Sequence, residues 1–178
     1  SRFKKAEIHR RSCLALGAIA TNVQRRRLIM EAGGAEAVLA SIRQFRGDVV
    51  VLEMALNALR NIACENVLVK AQIAEKGGIT VILEIMETDE DEDVAEEGCA
   101  ALGNMCSIMP DNQRRAAESG AIGKLVSVMG RHCSSPQILR DASRALWHIT
   151  STPEQHRRFV TSSVIEALER ISRDKTVK

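Results

Sequence analysis

The sequence predicts an all-α solenoid built from about four copies of one three-helix unit, and three observations carry that expectation. The closing stretch of an apolar helix is written four times, as ALGAIATN (15–22), ALRNIACEN (58–66), ALGNMCS (101–107) and ALWHITS (145–151). Its anchor leucines, Leu16, Leu59, Leu102 and Leu146, stand 43, 43 and 44 residues apart. A second anchor runs in phase with the first: EAGGAEAVLASI, EKGGITVILEIM, ESGAIGKLVSVM and TSSVIEALERIS begin at Glu31, Glu75, Glu118 and Thr161, in steps of 44, 43 and 43. The composition agrees, with 45% apolar residues, 2% aromatics and no Tyr, so the core must be Ala, Leu, Ile, Val, Cys and Met. Such a core suits close helix–helix packing better than a sandwich. Self-similarity at this period marks stacked units, none of which can bury its apolar face alone.

Each unit reads as a short, a middle and a long helix. The short first helix is RRRLIMEAG in one copy and NQRRAAESG in another, closed by Gly33-Gly34, Gly77-Gly78 or Gly120-Ala121. A sharp turn between helices needs either a left-handed residue or close backbone approach, and small residues supply both. The second helix carries apolar residues at helical spacing, for example Ile79, Ile82, Ile85 and Met86. A polar turn follows: RGD (46–48), TDEDED (88–93) or CSSPQ (133–137). The third helix is the longest and most apolar (Val50, Val51, Met54, Leu56, Leu59, Ile62). A helix that is apolar on most sides is buried between neighbours. The expected division is 1–21 as the third helix of a first unit, full repeats at 22–65, 66–108 and 109–151, and terminal first and second helices at 152–178.

A short first helix, a small-residue turn, and A-L-x-N-[LIM]-[AC] closing the third helix together resemble the armadillo-repeat family, over essentially the whole chain. The best-matching copy is VAEEGCAALGNMCSIMPDNQRRAAESGAIGKLVSVM, residues 94–129. The resemblance implies a right-handed superhelix whose third helices line a concave groove that binds other proteins. Family members that grip extended peptides carry a Trp and an Asn four residues apart on the third helix. The Asn position falls here on Ala18, Asn61, Asn104 and His148, and the Trp position on Leu14, Asn57, Ala100 and Arg144. Two copies keep the Asn and none keeps the Trp. The single Trp147 stands one residue before the Asn position and is expected in the core. Residues four apart share a helix face, so one turn earlier Arg10, Glu53, Glu96 and Arg140 extend the strip. The implied partner-binding groove is therefore Glu53, Asn57, Asn61, Glu96, Ala100, Asn104, Arg140, Arg144 and His148. It is acidic and amide-rich in the middle and basic at its C-terminal end. Asn61 and Asn104 are expected to face solvent, serve binding and contribute little to folding.

Other features set limits on function. The formal charge of +2 is too small to argue for nucleic acid. The arginine clusters 25–27, 114–115 and 157–158 recur on first helices and should align into an edge stripe, but no Tyr or Phe is interleaved to stack bases. The run Asp89 to Asp93, with Glu96 and Glu97, reads as a solvated turn and lacks the glycine and terminal Glu of an EF-hand loop. No Walker loop, HExxH or Gly-x-Ser-x-Gly is present, so neither catalysis nor a cofactor or metal is expected. Cys13 and Cys99 share a repeat position with Leu56 and Ser143 and read as small core residues. An odd count of five cysteines, most of them inside helical patterns, fits a reduced compartment, cytoplasmic or nuclear. No apolar run reaches the ~18 residues of a membrane span.

Two classes of function fit: an interaction scaffold or adaptor for a protein or extended-peptide partner, or a non-catalytic regulatory array within a larger enzyme or signalling protein. Glu7, His9 and Arg11 replace Val50, Leu52 and Met54, and Glu169 replaces Leu39, Leu83 and Val126. These polar substitutions predict a hydrated surface at each end and a monomer.

Overall fold

A computed structural model describes residues 2–152, 157 and 162–173. Eleven helices are present among them: α1 (Arg2–Ile19), α2 (Val23–Glu31), α3 (Gly34–Gln44), α4 (Val49–Ile62), α5 (Val67–Glu75), α6 (Gly78–Thr88), α7 (Glu92–Cys106), α8 (Pro110–Glu118), α9 (Ala121–Arg131), α10 (Pro136–Ile149) and α11 (Ser162–Arg173). Most of the first helix expected after residue 152 lies outside the described residues.

Local chemistry sets each boundary. The side chains of Asn22 and Asn66 accept from backbone N–H groups at the starts of α2 and α5, while α8 opens on Pro110. A side-chain oxygen at that position satisfies an otherwise orphaned donor, and Pro there sacrifices none. The turns into the second helices α3, α6 and α9 use Gly33, Gly77 and Gly120, at φ 76°, 80° and 78°. Only glycine takes that region without strain. The small residue that follows is needed for another reason. A Cβ on Gly78 would stand 2.5 Å from Ile73 Cγ2 and 2.8 Å from its carbonyl oxygen. Left-handed turn and close approach are thus divided between adjacent residues. Asp48 and Asp91 cap α4 and α7 through their carboxylates.

The third helices stack in one layer, with α4 between α1 and α7, and α7 between α4 and α10. The second helices α3, α6, α9 and α11 form another layer, and α2, α5 and α8 run along one edge. Leu59 and Leu102 are fully buried, as are Leu52, Leu56, Ile62 and Ile82. Buried polar groups close the third-helix C-termini, where carbonyls lack helical partners. Arg26 Nε donates to Ala20 O at 3.0 Å, Lys70 Nζ to Ser107 O at 3.0 Å and Gln113 Nε2 to Cys106 O at 2.8 Å. Asn112 Nδ2 joins two repeats by donating to Met105 O (2.8 Å) and Lys70 O (3.2 Å).

Three expectations are corrected. The basic clusters do not make a continuous stripe: Arg26 is buried, Arg27 pairs with Glu31 and Arg114 with Asp111, and Arg158 lies outside the described residues. Local carboxylates and a helix C-terminus take up the charge. Trp147 is 69% exposed and is not core. The surface at the N-terminal helix is not hydrated throughout. Ile8 (64% exposed) and Ile19 (49%) occupy the positions where Val51 and Ile62 are fully buried. Glu7 matches Val50, itself 42% exposed, while His9 bonds Ser41 at 2.7 Å. The polar substitutions therefore lie beside the stacking face, not on it. Glu169 is exposed, as expected, and pairs with Arg173 at 3.0 Å.

Candidate binding groove

One face of the third-helix layer carries the strip read from the sequence. On α4, Glu53, Asn57 and Asn61 are half-buried, and on α7 so are Glu96 and Asn104. On α10, Arg140 and Arg144 are exposed and His148 is half-buried. Ala100 is 1% exposed and offers no surface, which corrects its inclusion. A methyl is too short to clear the longer side chains around it. Arg10 is held by Asp48 through bonds of 2.8 and 3.0 Å.

The amides tie adjacent repeats together. Asn104 Nδ2 donates to Arg60 O at 3.0 Å, and Asn61 Nδ2 to Gly17 O at 3.5 Å and Asn57 Oδ1 at 3.1 Å. Asn57 Nδ2 donates to Glu97 Oε1 at 2.9 Å. Asn61 and Asn104 are thus partly structural, which corrects the expectation of purely solvent-facing amides. Their donors are directed into the fold, and the carboxamide oxygens of both remain as acceptors, since no described donor reaches them. An acceptor at regular steps along a groove suits the N–H groups of an extended main chain.

Between α4 and α7 the charge is negative. Glu53, Glu96, Glu97, Asp91 and Asp93 crowd one region, and Arg60 meets Glu97 at 3.2 Å. Burial raises the pKa of Glu53, and Asp93, Glu97 and Asp91 push it further. Burial likewise raises that of Glu96, helped by Glu97 and Asp141 and opposed by Arg60. Like charges disfavour ionisation, so an incoming cation would relieve the repulsion. At α10 the sign reverses. Arg144 pairs with Asp141 at 3.0 Å, and Arg140 donates to the Gln137 carboxamide oxygen. Burial lowers the pKa of His148, with Arg144 and Lys70 adding to the shift. Sequence reasoning missed Glu97, Arg60 and Asp141 as groove components. A usable signal existed, because Arg11, Glu97 and Asp141 share a repeat position with Met54.

Burial pushes the Cys99 and Cys106 thiols up to about 12, which keeps them protonated. Among the described residues no group of His, Cys, Asp and Glu could hold a metal ion, and no helix is long and apolar enough to cross a membrane.

No protein-family model matches the chain, and no curated protein matches it by sequence. Solved structures do. An engineered protein aligns at TM-score 0.83 and 26% identity, over 97% of this chain and 69% of its own. A computationally designed armadillo repeat protein for modular peptide recognition aligns at TM-score 0.79 and 21% identity, over 92% and 67%. The chain folds as an armadillo-repeat array. A designed armadillo repeat protein in complex with the peptide (KR)4 also superposes on this array, at TM-score 0.61 and 18% identity, covering 92% of this chain and 84% of the other.

Proposed function

We propose that this armadillo array is a non-catalytic scaffold that binds an extended segment of a protein partner along its third-helix face, with basic side chains over the α4–α7 region. The observation that carries the reading is the surplus of half-buried carboxylates, Glu53, Glu96 and Glu97, beside the acceptor oxygens of Asn61 and Asn104. Main-chain N–H groups would meet the amide oxygens, and Lys or Arg side chains the carboxylates. Designed armadillo proteins made for peptide recognition, one of them solved with (KR)4, support it by analogy of fold. Calorimetric titration with an alternating Lys-Arg peptide tests it. The wild type should bind, and Glu53→Lys with Glu96→Lys should weaken binding at least about tenfold, with the loss largest at low salt. Equal binding by both, or none by the wild type, would refute it.

A further inference from the structure

We infer that Arg60 sets the specificity of one step in this groove. Its guanidinium closes Glu97 to a partner's cation and offers its own N–H donors, so the bound segment carries an acidic or amide side chain there, among its basic ones. The inference rests on the groove reading above and adds the one position at which a basic residue is refused.

Arg60 stands inside the array, on α4, which packs between α1 and α7. Its repeat position holds Gly17 on α1 and Gly103 on α7. A Cβ on Gly17 would stand 3.3 Å from Asn57 Oδ1, and one on Gly103 3.6 Å from Arg144 Nε. The position therefore faces the polar strip of the next third helix. Of these three helices only α4 places a side chain there. A helical side chain leans back toward the N-terminus of its own helix. Arg60 accordingly reaches the same α7 carboxylate that Asn57, one turn earlier on α4, already holds.

That carboxylate is closed. Asn57 Nδ2 donates to Glu97 Oε1 at 2.9 Å, and Arg60 Nη1 stands 3.2 Å from Oε2. Oε2 is enclosed and accepts no hydrogen bond, and the Glu97 side chain is 14% exposed against 32% for Arg60. A partner's cation reaches Glu97 only by displacing Arg60. Arg60 itself makes no side-chain hydrogen bond among the described residues, so its donors are unspent. Glu53 and Glu96 differ, being half-buried without an ion pair among the described residues. Burial raises the pKa of Glu53, and Asp93, Glu97 and Asp91 add to the rise with no cation opposing it. At Glu96 the rise is opposed by Arg60, whose charge is thus felt at both α7 carboxylates. A cation is drawn to Glu53 and repelled at Arg60, where a carboxylate or carboxamide oxygen finds charge-assisted donors.

Calorimetric titration with two peptides of equal length, alternating Lys-Arg and alternating Lys-Asp, tests this. Both should bind the wild type. Arg60→Gln should tighten Lys-Arg binding at least about tenfold and weaken Lys-Asp binding about tenfold, a crossed effect that net charge alone does not give. Arg46→Gln loses the same charge from an exposed pair with Glu84 and should move either affinity less than about threefold. Arg60→Lys keeps the cation and should stay near the wild type for Lys-Arg. The Lys-Arg gain should vanish when Glu97→Gln is added to Arg60→Gln. If Arg60→Gln acts no differently from Arg46→Gln, if the gain survives Glu97→Gln, or if Lys-Asp alone fails to bind the wild type, the role of Arg60 is refuted and the groove reading stands on Lys-Arg binding. If the wild type binds neither peptide, both fall.

Discussion

The two faces of a third helix in this array obey different rules. On α4, the side made of Val51, Leu52, Ala55, Leu56, Leu59 and Ile62 is fully buried. The side made of Glu53, Asn57 and Asn61 is half-open, and its polar groups bond across repeats at separations of 40 and 44 residues. The first face acts by shape and burial. The second is held in place by its own amides yet keeps acceptors and surplus charge outward. If the proposed function holds, one helix carries stability and recognition on separate stripes, so mutations should sort by face.

The largest effect belongs to the buried side. Leu59→Ala or Leu102→Ala should cost about 2–5 kcal/mol through lost burial and a cavity, measured by denaturant unfolding. Repeats contact only neighbours, so the loss should spread along the array. A near-neutral result would mean the two faces are exchanged.

A smaller effect belongs to the amides that link the stripes. Asn104→Ala removes the bond to Arg60 O. It should cost about 0.5–1.5 kcal/mol, the usual net worth of such a bond, and should also weaken peptide binding. Loss of stability with unchanged affinity would make the amide structural only.

Smallest in stability should be Glu53→Lys, within about 0.5 kcal/mol of zero in thermal or denaturant melts. Its consequence is for affinity and its pH dependence. The pKa of Glu53 and Glu96 is raised above 4.5, and a cation binds only the ionised form. Affinity for a basic peptide should therefore be full above the raised values and fall as pH drops through them, starting higher than for ordinary carboxylates. The stability sign is opposite: ionising these groups costs the folded state, so they contribute a loss of stability as pH rises through their folded values. Titrations from neutral to acidic pH, with Glu53→Gln flattening the affinity profile, check both signs.

Much of this division was legible in the sequence. Two anchors in fixed phase gave the helices and placed Leu59 and Leu102 in the core, because the repeat period fixes angular position on a helix. Reach is a different quantity. Burial of Ala100 depends on how far its neighbours' side chains extend, and exposure of Trp147 on whether anything lies opposite it. The donors of Asn61 and Asn104 find carbonyls 44 residues away, a pairing that only the stacking geometry reveals. The arginine clusters shared a register, yet the carboxylates at Glu31 and Asp111 were close enough to claim two of their members.

The most direct test of the central claim, that the third-helix ladder is the recognition surface, uses side-chain amide resonances. Asn57, Asn61 and Asn104 lie on the ladder, whereas Asn22 and Asn66 cap first helices along the edge. On titrating an alternating Lys-Arg peptide into labelled protein, the three ladder amides should shift together, saturating with one affinity, while Asn22 and Asn66 stay in place. Shifts confined to Asn22 and Asn66, with the ladder silent, would contradict the account.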